Sequence, residues 1–364
     1  MPIESLAAGA AASVFCDYPM RFKRYGLTTS SKGYSFILGA LYGQAAGDAM
    51  GMPSELWPQQ QVRRFFGWID DFLPGPTENF AASEFAAGEF TDDTQQAIAL
   101  MDALIAADGE VEPERIARNI IAWAEGIDAF NKNILGPSSK AALLAILSGQ
   151  SIDTLGANGV TNGAAMRVAP LGCLLSSRDR QAFIRAVRLS CSPTHQSDIA
   201  VAGATAIAWA VSRAVEGAAW SDIKTELPAI ADQAQLELVT TFSPLLSRRL
   251  AWGFEVAGRL RGQNDAAVVA ELYHTLGAGM DTIESVPAAL ALVECAQGDP
   301  RHCAVLAANL GGDTDTIGAM ATAVCGALRG VEAIPAAWRE RIRQVNGVDF
   351  ESYAQTLSAL RFKG

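Results

Sequence analysis

Phe90-Thr91-Asp92-Asp93-Thr94-Gln95-Gln96-Ala97-Ile98-Ala99-Leu100-Met101-Asp102-Ala103-Leu104-Ile105 is the stretch whose spacing decides the fold. Ala97, Leu100, Met101, Leu104 and Ile105 recur at i, i+3, i+4, i+7 and i+8, which is one face of an α-helix. More than two hundred residues further on, Gly311-Gly312-Asp313-Thr314-Asp315-Thr316 opens a second such run, carried by Ile317, Met320, Ala321, Val324, Cys325 and Leu328. Both helices begin in a cluster of carboxylates and hydroxyls. Similar apolar periodicity covers about 34–50, 112–126, 138–148, 179–190, 195–216, 243–260, 283–297, 299–308 and 350–361. Alternating strand patterns are absent, alanine is abundant and favours helix, and the breaks at Gly136-Pro137, Ser192-Pro193 and Gly298-Asp299-Pro300 are too short for linkers. The expectation is an all-α, single compact domain over 34–364. It is preceded at 1–33 by an Ala/Ser/Gly-rich extension with a basic cluster at Arg21, Lys23 and Arg24. Stretches 56–91 and 149–167 read as long irregular loops, and such loops are often functional.

Composition narrows the function. Of 364 residues, 50% are hydrophobic and 18% charged, the balance of a globular chain with a large core. A net charge of −11 leaves no basic excess to neutralise phosphates, which argues against nucleic acid or an anionic membrane as partner. The apolar runs are interrupted before the ~18 residues that a membrane span needs, and Glu4 stands where a signal peptide wants Lys or Arg. Six cysteines form no CxxC pair, so reduced thiols in a cytoplasmic protein are expected. With three histidines and no HExxH, a histidine-rich zinc site is improbable.

Each acidic cluster has an ordinary explanation as a helix cap, since Thr and Asp are good N-caps and first-turn carboxylates offset the helix dipole. One cap needs one such residue, whereas each cluster has four oxygen side chains in a row. Carboxylates crowded together repel one another unless a cation lies among them. Oxygen-only donors suit hard divalent ions such as Mg²⁺ or Mn²⁺. A third segment, Gly47-Asp48-Ala49-Met50-Gly51-Met52-Pro53-Ser54-Glu55, ends on a further carboxylate and carries glycines that allow close backbone approach. The glycine-rich stretch 156–163 reads as a phosphate loop or an ordinary turn.

With Asn162-Gly163-Ala164-Ala165-Met166-Arg167 and Thr194-His195, these segments together resemble the ADP-ribosylglycohydrolase family over about 34–360, with Ala164 where the family has a second glycine. The resemblance implies an all-α fold with two divalent cations, Mg²⁺ or Mn²⁺, in a cleft. Carried over by position, Thr91, Asp92 and Asp93 would hold one ion, Asp313 and Thr316 the other, and Asp315 would bridge them. Glu55 or Asp93 would handle the proton as the catalytic group. Gly159, Thr161, Asn162, Gly163 and Met166 would bind substrate, with His195 near the nucleotide. Phe130 would stack on adenine or, by default, sit in the core. The expected activity is hydrolysis of the C1″ bond that joins ADP-ribose to a protein side chain or small molecule. Its alternatives are a related N-glycosidase acting on a nucleoside-like compound, or an antitoxin-type binder that uses the 1–33 arm.

Overall fold

The computed structural model describes residues 32–132, 134–155, 157–238 and 241–363, so 1–31, most of the expected extension, lies outside the described residues. The chain runs through α1 (Lys32–Gly51), α2 (Gln59–Phe66), α3 (Asp92–Ala106), α4 (Pro113–Gly126), α5 (Pro137–Leu147), α6 (Ala169–Leu174), α7 (Arg180–Cys191) and α8 (Asp198–Val215). It continues with α9 (Trp220–Leu236), α10 (Leu246–Arg259), α11 (Asp265–Leu276), α12 (Thr282–Cys295), α13 (Pro300–Ala308), α14 (Thr314–Arg329), α15 (Ala336–Asn346) and α16 (Phe350–Arg361). Extended pairing among the described residues is limited to two isolated antiparallel bridges, Trp57 with Gly312 and Thr161 with Asp281. The all-α expectation holds.

The seam between α1 and α14 organises the molecule. Glycines stand at every fourth position of α1, at 39, 43, 47 and 51. A Cβ on them would collide with the carbonyl oxygens of Gly326, Thr322, Gly318 and Thr314, in that order. Gly318 and Gly326 face Gly47 and Gly39 in return. The helices therefore run antiparallel with backbones in contact, which only residues without side chains permit. This register sets Asp48, at the C-terminal end of α1, beside Asp315 in the first turn of α14.

Around the seam, α8 is the central apolar helix. It has the length and apolarity of a membrane span, but every residue in it except Arg213 is buried inside the fold, so it is a core helix. The loop reading of 56–91 needs a correction, because α2 lies within it. With the sequence Gln-Gln-Gln-Val-Arg-Arg-Phe-Phe, α2 buries only Gln59 and Val62 and offers little apolar repeat to read. Nor was α9 among the helices read from periodicity. Pro228 lies inside it and charged residues dilute its stripe.

Candidate active site

The cap explanation fails at both acidic clusters. No side chain caps α3 at Thr91 or α14 at Asp313. Instead Asp48 reaches over from α1. Its Oδ1 accepts from the Thr91 N–H and hydroxyl, each at 2.9 Å. Its Oδ2 accepts from the Thr94 N–H at 3.0 Å and the Thr94 hydroxyl at 2.6 Å. Capping α3 from outside leaves the side chains of 92 and 93 free for something else.

What they face is one another. The Thr91 hydroxyl has a single hydrogen, yet Asp93 Oδ2 lies 3.0 Å and Asp315 Oδ2 3.3 Å from its oxygen, in addition to Asp48. Asp93 Oδ1 and Asp315 Oδ1 are buried with no hydrogen-bond partner among the described residues. Carboxylate oxygens of Asp48, Asp93 and Asp315 all lie within 4.8 Å of one another. Orphaned anionic oxygens at this depth are costly unless a positive charge meets them. The donor set is all oxygen, so the residues fit a hard divalent cation.

The electrostatics say the same. Burial, then the charges of Asp313, Asp92 and Asp48, pushes the Glu55 carboxyl up to about 8. Burial, then the charge of Asp48, raises Asp92 to about 7, and burial raises Asp48 to about 6. Asp93 and Asp315 are driven well above the ordinary carboxylate range, by burial first and by their acidic neighbours second. Asp313 is raised by burial, even though Asn162 Nδ2 donates to its Oδ2 at 2.6 Å.

This bed is the floor of a cleft of about 260 Å³. Glu55, Asp92, Asp93, Asp313, Asp315 and Thr316 line it together with Thr161, Asn162, Gly163 and Met166. The two isolated bridges hold its rims. Leu56 N–H donates to Gly312 O at 2.7 Å and Gly312 N–H to Trp57 O at 2.8 Å, which fixes the strip carrying Glu55 against the start of α14. Asn162 N–H donates to Met280 O and Thr282 N–H to Val160 O, both at 2.9 Å, which fixes the opposite wall. Four of the sequence-read residues stand apart from the cleft surface. Thr91 is buried beneath the floor. His195 is fully buried behind the wall, with Gly159 beside its ring. Phe130 is half-buried against the core. Asp48 escaped the sequence reading as a site residue although its segment was noted, and the four-residue glycine spacing of α1 was the available signal. The apolar rim of Leu56, Phe80, Ile134, Leu135 and Met280 was also missed, because single apolar residues in loops carry no period.

A helical fold with an oxygen-only carboxylate bed at the base of a cleft defines the class of protein. The chain belongs to the ADP-ribosylglycohydrolase family, whose profile matches residues 29–363. The uncharacterized protein YegU of Escherichia coli (strain K12) is 58% identical over 89% of this chain and 97% of its own length. ADP-ribosylhydrolase ARH3 of Bos taurus is 28% identical over 85% of this chain and 89% of its own. A solved structure described as an ADP-ribosylglycohydrolase-related protein complex shares the fold, with a TM-score of 0.67 at 24% identity over 91% of this chain and 99% of that one.

Proposed function

We propose that this chain is a divalent-cation-dependent hydrolase that cleaves the C1″ glycosidic bond of ADP-ribose attached to a protein side chain or small molecule. The observation that carries the reading is the pair of orphaned oxygens of Asp93 and Asp315 in a carboxylate bed at the floor of a cleft with neutral donors on its wall. Family membership and the name of the ARH3 relative support the ADP-ribosyl part.

Thr91, Asp92 and Asp93 from one side and Asp313, Asp315 and Thr316 from the other would hold the cations, with Asp48 orienting Thr91. When bound, Mg²⁺ or Mn²⁺ would supply Lewis-acid charge at the ribose diol and the attacking oxygen. The chain's own groups do the rest. Asp93 is fully buried and pinned by the Thr91 hydroxyl, so it is committed to the floor. Glu55 is half-buried at the edge of the cleft, its strip anchored by Asn79 Nδ2 donating to Glu55 O at 2.9 Å. That leaves Glu55 to move the proton between water and the leaving atom. The surrounding carboxylates stabilise the positive charge that builds on the sugar ring as the bond breaks. Asn162 both bonds Asp313 and faces the cleft, so it links floor to substrate.

A second reading has its own observation. No lysine or arginine lines the cleft among the described residues, so nothing basic awaits a diphosphate, and a nucleoside-like ribosyl compound would suit the same floor. A metal-dependent hydrolysis screen over ADP-ribosyl-arginine, ADP-ribosyl-serine and free nucleosides decides. Release of ADP-ribose supports the first reading, and release of base from nucleosides alone replaces it with the second. A cytoplasmic location is part of the proposal. Five free thiols at 173, 191, 295, 303 and 325 support it, and cell fractionation tests it.

A further inference from the structure

Arg167 is only 1% exposed, yet among the described residues no carboxylate forms an ion pair with it. Its hydrogen bonds go to neutral acceptors: Nη1 to Gln96 Oε1 at 3.1 Å and to Gly163 O at 3.0 Å, and Nη2 to Thr194 Oγ1 at 2.6 Å. A permanent charge is rarely buried this way without a use. The cleft wall is where its effect leads.

A guanidinium can only donate. Thr194 Oγ1 therefore accepts from Arg167; were it to accept from His195 Nδ1 as well, its own buried hydrogen would be left without an acceptor among its described partners, so that hydrogen goes to Nδ1, at 2.8 Å. Nδ1 then acts as an acceptor, which puts the ring proton on Nε2. Nε2 lies 2.9 Å from Thr161 Oγ1 and donates to it. The Thr161 hydrogen is released in turn, because the next protein acceptor, Ser138 Oγ, lies 3.4 Å away, at the limit of a useful bond. Thr161 lines the cleft. The chain thus has one direction, set at the end that cannot reverse. The imidazole is also the peg around which the wall is wound, since a Cβ at Gly163 would lie 2.7 Å from His195 Cε1. Burial and then Arg167 keep the ring uncharged, with its pKa down to about 3.

We propose that Arg167 is a positioning residue that, through Thr194, locks His195 in its Nε2–H tautomer and so makes the Thr161 hydroxyl a donor to an anionic phosphate oxygen of the ligand. The phosphate half rests on the ADP-ribosyl reading, while the tautomer half stands without it. The arrangement resolves the lack of a basic side chain in the cleft, because the cation sits one layer back and its polarisation reaches the surface through three neutral groups.

The test is long-range proton–nitrogen correlation on ¹⁵N-labelled full-length protein, in which three histidines are readily assigned. His195 is expected to show a protonated Nε2 and a bare Nδ1 from pH 6 to 8. A protonated Nδ1, or a doubly protonated ring, overturns the proposal. Thr194→Val carries the same question without removing the buried cation. It should release the ring into mixed tautomers, whereas an unchanged ring would sink the role of Arg167. For the ligand half, Thr161→Val should weaken ADP-ribose binding by about tenfold or more and leave adenosine nearly unaffected. Equal losses for both ligands, or no loss, overturn the phosphate assignment. Wild-type protein that binds adenosine but not ADP-ribose overturns the functional reading and the ligand half together, and the tautomer alone still decides the part played by Arg167.

Discussion

The floor and the wall of the cleft carry opposite imbalances. The floor gathers Asp48, Asp92, Asp93, Asp313 and Asp315 with no basic side chain among their hydrogen-bond partners in the described residues. The wall hides the Arg167 guanidinium, with no acid bonded to it among the described residues. Gln96 is the hinge between them, accepting from Arg167 and donating to Asp92 Oδ2 at 2.8 Å. On the function proposed above, each charge is left for something outside the chain to complete: cations below, and an anion in front.

The hardest blow to this contrast falls on the floor. Asp315→Ala should lower hydrolysis by about 10³-fold or more and weaken Mn²⁺ binding in calorimetry, while the His195 resonances of the wall stay in place. Full hydrolysis with unchanged metal affinity would break the model of the floor. Glu55→Gln should lower kcat by ~10²–10⁴-fold with metal binding retained, and a loss confined to KM would remove Glu55 from the proton's path.

Stability separates the two regions further. Gly47→Ala forces a side chain into the Gly318 carbonyl, so it should destabilise by roughly 1–3 kcal/mol or more in denaturant titrations and loosen metal binding with it. A neutral result would mean that the seam does not set the floor. The smallest effect is the response of the metal-free protein to pH. Asp48, Asp92 and Glu55 have folded values raised to about 6, 7 and 8. Groups raised in this way bind protons more tightly in the folded state, so their contribution to stability is fully present below the ordinary carboxylate range and is lost as pH rises through the folded values of about 6 to 8. Thermal melts in chelator should fall by roughly 3–5 °C between pH 6 and 8.5, and added Mn²⁺ should abolish the slope. A melt that rises with pH would contradict the crowding of the floor. The wall pulls weakly the other way: His195, with its pKa down to about 3 in the fold, takes a proton only in the unfolded chain as pH falls through about 6.5, so its contribution grows by about 1 kcal/mol or less between pH 6 and 8.5.

The two regions also differ in how much the sequence discloses. The acidic runs at 91–94 and 313–316 are contiguous, so local chemistry betrays them. The apolar period marks α3 and α14, and the expected run 350–361 coincides with α16. The wall network joins Gln96, Thr161, Arg167, Thr194 and His195 across separate elements, and no spacing rule links a buried arginine to a histidine 28 positions later. Asp48 falls between these cases. Its carboxylate caps α3 from α1, a role invisible in the order of residues, whereas the glycine stripe that delivers it was open to inspection.

The α1–α14 seam has a consequence for how the protein is made. Asp48 and Thr91 leave the ribosome early, and Asp315 only after more than three hundred residues have been synthesised. The early carboxylates remain half a coordination shell until α14 slides its glycines against α1. Cation capture at this floor would therefore be a late event in the life of the nascent chain, and a bound ion would certify that both ends of the fold have closed on each other.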